Sequence, residues 1–232
     1  MTDGLIPWSG GAVKSGLIPA IALYRERSGV DVAVEFLPMG PLRKRLAAEV
    51  LPDGVILTSG LMDSARAEGR IAAGAATEIG RVAIGVAVYE AAPIPDVSTP
   101  EALKRALLAA SSVVYIDPER GTSGRQVAIV LERLGIAGEV TAKAVLGQGG
   151  SVVEPVARGE VELGIHQITE ILNLPGVRFA GPLPEPLQKE TVYLGAATAT
   201  TRRADGVRAF FSFLRTAEMR ALFAARGFIE RP

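Results

Sequence analysis

The sequence predicts an α/β protein of two lobes, one inserted into the other and joined to it by two crossing strands. Three observations carry this. Strand-like and helix-like segments alternate almost throughout the 232 residues, the pattern of sheets with helices packed on their faces. Two long apolar runs, Val82–Tyr89 and Thr191–Thr198, break that rhythm, each beside a proline-rich stretch: Ala91-Ala92-Pro93-Ile94-Pro95 after the first, Gly181-Pro182-Leu183-Pro184-Glu185-Pro186 before the second. The segment between them has a complete alternation of its own. The lobes are therefore expected at residues 1–82 with 195–232, and at residues 83–194.

The elements follow in order. Leu5–Trp8 reads as a strand ending in Ser9-Gly10-Gly11. Leu17, Ile18, Ile21 and Tyr24 then recur at helical spacing, so a helix runs from about Ala12 to Ser28. Val30, Val32, Val34 and Phe36 alternate with Asp31 and Glu35, which predicts a strand over Val30–Phe36. Pro41 stands where a first helical turn begins, ahead of Leu42–Glu49. Gly54–Leu57 is a short strand ending in Thr58-Ser59-Gly60. The inserted lobe reads as helix Pro100–Ala110, strand Ser112–Ile116, helix Gly124–Leu134, strand Val140–Val145, helix Ser151–Arg158, and strands Glu162–Ile165 and Val177–Ala180. Two closing helices, Ala204–Thr216 and Ala217–Gly227, carry Phe210, Phe211, Phe213, Leu214, Leu222 and Phe223 on apolar faces that read as core.

Composition narrows the function. Hydrophobic residues make up 48% and charged residues 22%, enough for a proper core and against disorder. Lys plus Arg equals Asp plus Glu at 25 each, and aromatics reach only 5%, so neither the positive field nor the stacking platforms of a nucleic-acid binder are present. Without cysteine there are no disulfides, thiolate metal sites or Cys nucleophile. With one histidine, His166, a His-rich metal site is excluded too, and neither metal nor cofactor is expected. Met1-Thr2-Asp3-Gly4 lacks the basic and apolar regions of a leader. A cytoplasmic chain is expected, or a periplasmic one if a leader has been removed. No apolar run approaches the roughly 20 residues that span a bilayer, so no membrane insertion is expected.

The site is expected at the carboxyl ends of the strands. Ser9-Gly10-Gly11 and Gly121-Thr122-Ser123-Gly124 each join a strand to a helix, where backbone N–H groups and hydroxyls gather at the positive end of the helix dipole. Either loop alone is also an ordinary glycine-bearing turn; the pair suggests two half-sites for one anion. One wall would hold Ser9–Val13, Met39–Pro41 and Thr58–Gly60, and the other Gly121–Gly124, Gly149–Val152 and His166–Glu170. Lys14 and Arg125 are the best-placed cationic anchors, against the plainer reading of solvated surface cations. His166 follows the apolar Leu163-Gly164-Ile165 and is either a base suited to neutral pH or a structural histidine, with Glu170 as the alternative base. Trp8 reads as core rather than site floor, and Arg81 and Glu90 as hinge or rim residues.

Five motifs in this order resemble the type II periplasmic substrate-binding proteins, in the molybdate-binding branch, over nearly the whole chain. They are Ser9-Gly10-Gly11-Ala12-Val13-Lys14, Asp53-Gly54-Val55-Ile56-Leu57-Thr58, Gly159-Glu160-Val161-Glu162-Leu163-Gly164-Ile165, Gly181-Pro182-Leu183-Pro184, and Phe213-Leu214 with Gly227-Phe228. The resemblance implies a small oxyanion or carboxylate held by hydroxyls and N–H groups in a hinged cleft. Carried over by position, Ser9, Gly11, Ala12, Gly40 and Thr58 would serve the first lobe, and Ser123 or its neighbour, Val152 and Gln167 the second. Met39-Gly40-Pro41 replaces a serine of that family, His166-Gln167 replaces a tyrosine, and Arg125 follows the second loop; these departures point from molybdate to an organic acid. An ABC permease is the implied partner if the chain is exported. Gly121-Thr122-Ser123-Gly124, Gly149-Gly150 and Gly164-Ile165-His166-Gln167 also resemble the aconitate isomerase group. That likeness implies instead an allylic proton shift in a tricarboxylate, with His166 as base.

Overall fold

Ten strands pair into two five-stranded sheets in the computed structural model, which describes residues 4–47, 50–148 and 152–229. Ala48, Glu49, Gly149, Gly150 and Ser151, which entered the expected helices and site walls, lie outside the described residues, as do Met1–Asp3. The chain divides into a first unit, Met1–Arg81 with Thr191–Pro232, and a second, Val82–Glu190.

In the first unit, β1 (Trp8–Gly10) leads through a 3-10 turn (Gly11–Val13) into α1 (Lys14–Ser28). Then come β2 (Glu35–Leu37), α2 (Met39–Leu46), β3 (Gly54–Thr58), α3 (Ser59–Ala67) and β4 (Thr77–Val82). The second unit holds β5 (Ile84–Tyr89), α4 (Pro100–Ala109), β6 (Val113–Ile116), α5 (Thr122–Arg133), α6 (Ala137–Thr141) and β7 (Ala144–Gly147). It continues with α7 (Glu154–Ala157), β8 (Leu163–Gln167), α8 (Ile168–Ile171) and β9 (Val177–Pro182). The first unit then closes with β10 (Thr191–Ala197), α9 (Ala204–Phe213) and α10 (Ala217–Ala224). The strand orders are β2-β1-β3-β10-β4 and β7-β6-β8-β5-β9.

Several expectations shift, each for a local reason. The run Val82–Tyr89 is not one strand: β4 ends at Val82, β5 begins at Ile84, and the intervening Ala83 gives its carbonyl to the Ile168 N–H. The run from Thr191 lies in the first unit, as β10 up to Ala197 and then a bridge from Thr198 to Ile71, so residues 183–190 make the return passage. The alternation at Val30–Phe36 yields only β2 and a bridge from Leu5 to Val32. Pro7 lies in the facing segment; its carbonyl accepts from the Glu35 N–H, but it has no N–H to return, so the ladder is interrupted there. The expected strand Val140–Val145 loses its start: Val140 and Thr141 belong to α6, because Ile136 and Val140, four apart, are both buried in the second unit's core, and β7 begins only at Ala144.

Two polar devices fix elements near the strand ends. Pro19 inside α1 removes the N–H that would bond the Ser15 carbonyl, and the Arg226 guanidinium donates to that carbonyl at 2.9 Å instead. The Gln188 side chain pairs with both polar groups of Ile84, accepting from its N–H at 3.0 Å and donating to its carbonyl at 2.6 Å, which anchors the start of β5. The first unit's core holds Phe210, Phe211, Phe223 and Leu214, all buried, with Tyr24 edge-on to Phe210; these aromatics are core, as their spacing predicts.

The cap of α4 gives a first quantitative expectation. Thr99 accepts from the Ala102 N–H at 3.1 Å with Pro100 at the first helical position. Thr99→Ala should lower stability by about 1 kcal/mol in denaturant titrations, with the slope unchanged.

Candidate functional site

Six polar residues are buried among the described ones, and four of them, Ser123, His166, Gln167 and Thr169, belong to the second unit at the start of α5, the end of β8 and the start of α8. Burying such groups is costly unless they are partnered or reserved for a ligand. β6 delivers the chain to Asp117, whose carbonyl accepts from the N–H groups of Arg120 and Gly121 and so closes a tight turn. Gly121 then caps α5 with extended backbone and no side-chain bond to the first turn. Gly124 lets that first turn lie against the end of β6: a Cβ there would stand 2.1 Å from the Ile116 carbonyl oxygen. Glycine at this position is thus what brings Ser123 inward.

There Ser123 meets the end of the neighbouring strand β8. Its Oγ lies 3.3 Å from Nδ1 of His166, and the other ring nitrogen, Nε2, lies 2.8 Å from Oε2 of Glu170 on α8. Ser123 and His166 are about 4% and 3% exposed, while the Glu170 side chain keeps 26% of its surface. The hydroxyl and ring are out of water; the carboxylate reaches it. A carboxylate only accepts, so Nε2 carries the proton of the neutral ring and Nδ1 keeps its lone pair toward Ser123. Gln167 follows at the N-cap of α8 with its Oε1 buried and without a hydrogen-bond partner.

The other expected residues separate into those at strand ends and those with structural occupations. In the first unit Ser9 is fully buried in β1 and donates to the Gly10 carbonyl at 3.1 Å. Gly11 and Ala12 form the 3-10 turn, Gly40 lies in the first turn of α2, and Thr58 ends β3 as the N-cap of α3 without a capping bond. Gly10 is crowded, since a Cβ there would stand 2.5 Å from the Met39 methyl and 3.0 Å from the Tyr193 ring. Lys14 is exposed, its ammonium 5.7 Å from the Phe36 ring centroid, a partner that offsets its position at the start of α1. Trp8 is buried beneath the Arg45 guanidinium, 4.1 Å from the ring centroid. In the second unit Arg125 is exposed on α5. Val152 precedes α7 rather than opening it and packs in the core cluster with Val114 and Ile116. Arg81 makes a two-pronged pair with Glu78 at 2.8 and 2.9 Å.

The sequence marked Glu170 only as an alternative to His166; the structure makes it the partner of the ring. The signal available was the spacing of four from the strand end into a helix. Ser15, whose buried Oγ lacks a partner, was not anticipated. Among the described residues no group of three or more His, Asp or Glu could hold a metal ion, and no helix is long and apolar enough to cross a membrane.

A family model described as bacterial extracellular solute-binding protein matches residues 8–229. The chain belongs to this family. Its fold is similar to the periplasmic molybdate-binding protein of Azotobacter vinelandii, with a TM-score of 0.82 at 16% identity over 98% of this chain and 100% of that one. It is also similar to the sulfate-binding protein of Mycobacterium tuberculosis, with a TM-score of 0.75 at 15% identity over 97% and 86% of the two chains. The α/β fold of the type II periplasmic binding proteins, expected from the sequence, is therefore the fold of this solute-binding protein. In sequence it is 30% identical over 211 residues to an aconitate isomerase of a Pseudomonas species, covering 89% of this chain and 80% of that one.

Proposed function

We propose that this solute-binding protein captures a small organic anion, a carboxylate, with Ser123 and the first turn of α5 as its principal donors in the second unit. The observation that carries this reading is the buried Ser123 hydroxyl at the start of a twelve-residue helix without a side-chain cap. Helix starts concentrate N–H donors and positive potential, so an anion is the ligand such a site favours. The family and its molybdate- and sulfate-binding structural neighbours support the anion class. A carboxylate is preferred to molybdate because Met39-Gly40-Pro41 and His166-Gln167 stand where the resembled family carries a serine and a tyrosine. If exported, the chain would hand its ligand to an ABC permease.

Thermal unfolding in the presence of citrate, cis-aconitate, trans-aconitate, sulfate and molybdate tests the reading. A ligand at 100 times its Kd adds about 2.7 kcal/mol, so a carboxylate should raise the midpoint by several degrees and the inorganic oxyanions by less. No rise with any of these anions would refute it.

The contact between His166 and Glu170 favours a second reading, an aconitate-type isomerase acting in the cytoplasm, and the Pseudomonas relative supports it. An allylic proton shift needs a base within about 3 Å of the abstracted proton or one water away, and the Nδ1 lone pair is suited to that work. Incubating the protein with cis-aconitate and following the isomer ratio by NMR decides between the two; an unchanged ratio leaves binding alone.

A further inference from the structure

The hydroxyl assigned to anion capture is also one end of a hydrogen-bonded chain with a direction. Glu170 Oε2 accepts from Nε2–H of His166 at 2.8 Å, and Nδ1 faces Ser123 Oγ at 3.3 Å. While the ring is neutral, Ser123 must be the donor of the second bond. A serine hydroxyl has a single proton, so with that proton turned to the ring, Oγ offers an incoming anion only lone pairs. Protonation of Nδ1 reverses the bond: the ring donates to Oγ, and the hydroxyl proton is released toward the anion.

We propose that Ser123, His166 and Glu170 make anion capture proton-linked, with one proton taken up on Nδ1 as the Ser123 hydroxyl turns from the ring to the ligand. This rests on the reading of Ser123 as an anion donor. No bond between heavy atoms forms or breaks; the proton comes from solvent and returns to it when the anion leaves. The surroundings of the ring fit the task. On β5 the residue opposite His166 is Gly85, flanked by the apolar Ile84 and Val86; β6 sets Tyr115 against Ile165; α5 contributes Ser123, with the charged Arg125 exposed; α8 contributes Glu170. The carboxylate already bound to Nε2 supplies the counter-charge for a protonated ring, and its partial exposure links the pair to water.

His166 is the sole histidine of the chain, so the ring nitrogens give unambiguous NMR signals. The ligand-free protein at mildly alkaline pH should show the neutral Nε2–H form. The ring's titration midpoint should then rise by about one pH unit for each tenfold preference of an anion for the protonated state, measured with cis-aconitate and with sulfate at constant ionic strength. In Ser123→Ala the rise should vanish, and Glu170→Gln should reduce it. A neutral ring protonated on Nδ1 overturns the proposal, as does a midpoint that no anion moves or one that moves equally in Ser123→Ala. Binding heat with a fixed midpoint removes the proton linkage but keeps anion capture; absence of both heat and shift removes both.

Discussion

Gly124→Ala should destabilise the protein by about 3 kcal/mol, the upper part of the range for overpacking a well-filled interior. The added Cβ would stand 2.1 Å from the Ile116 carbonyl oxygen and 2.9 Å from its carbon. These are backbone atoms of β6, and they cannot swing aside as a side-chain tip can. Relief requires the first turn of α5 to move off the strand end, carrying Ser123 with it. Anion affinity should therefore fall along with stability. Gly138→Ala is the control: it lies in α6 with nothing within 4 Å of the new methyl, and alanine is the better helix former. Denaturant titration of the pair should show a large loss in the first and none in the second. Equal midpoints would mean that the close approach of α5 to β6 does not exist.

His166→Asn carries the other large effect. If the protein turns over aconitate, the variant should lose about 100-fold or more in rate, the usual contribution of a positioned acid or base. Asparagine keeps a polar shape but offers no basic nitrogen, and Glu170 then loses its partner at 2.8 Å. Because the Glu170 side chain is a quarter exposed, water can replace the contact that Glu170 loses; the ring itself is buried, so the smaller side chain should also lower the unfolding midpoint. Isomerisation that survives in this variant would move the base to Glu170.

The sequence was legible where local pattern and tertiary need agree. The alternation of elements, the aromatic faces of α9 and α10 and the glycine-bearing entry to α5 all follow from periodicity and turn chemistry. It was less legible where pairing depends on a distant segment. The period-two run at Val30–Phe36 looks like a full strand, but the proline in the facing segment was needed to see why the ladder is interrupted. Val140 stood at the start of an expected strand, yet it lies in α6 and is buried in the same core cluster as Ile136. In the site, Ser123, His166 and Gln167 were visible as residue types at strand and helix ends. Their contacts were not, because His166 and Ser123 are 43 positions apart and meet only through the neighbouring placement of β6 and β8. Lys14, read as one of two best-placed cationic anchors, proves to have an aromatic partner in Phe36.

Calorimetric titration of the wild type and of Ser123→Ala with cis-aconitate tests the central claim most directly. Ser123 is proposed to donate to a charged acceptor, and a hydrogen bond of that kind contributes about 1.5–3 kcal/mol. The variant removes one oxygen from a buried position without touching the backbone of α5, so it should fold as the wild type does. The wild type should bind, and the affinity should be lower by roughly tenfold or more in Ser123→Ala, in a variant that still unfolds cooperatively, with a midpoint lowered modestly because His166 Nδ1 loses its partner. Affinities within about twofold of each other would contradict it.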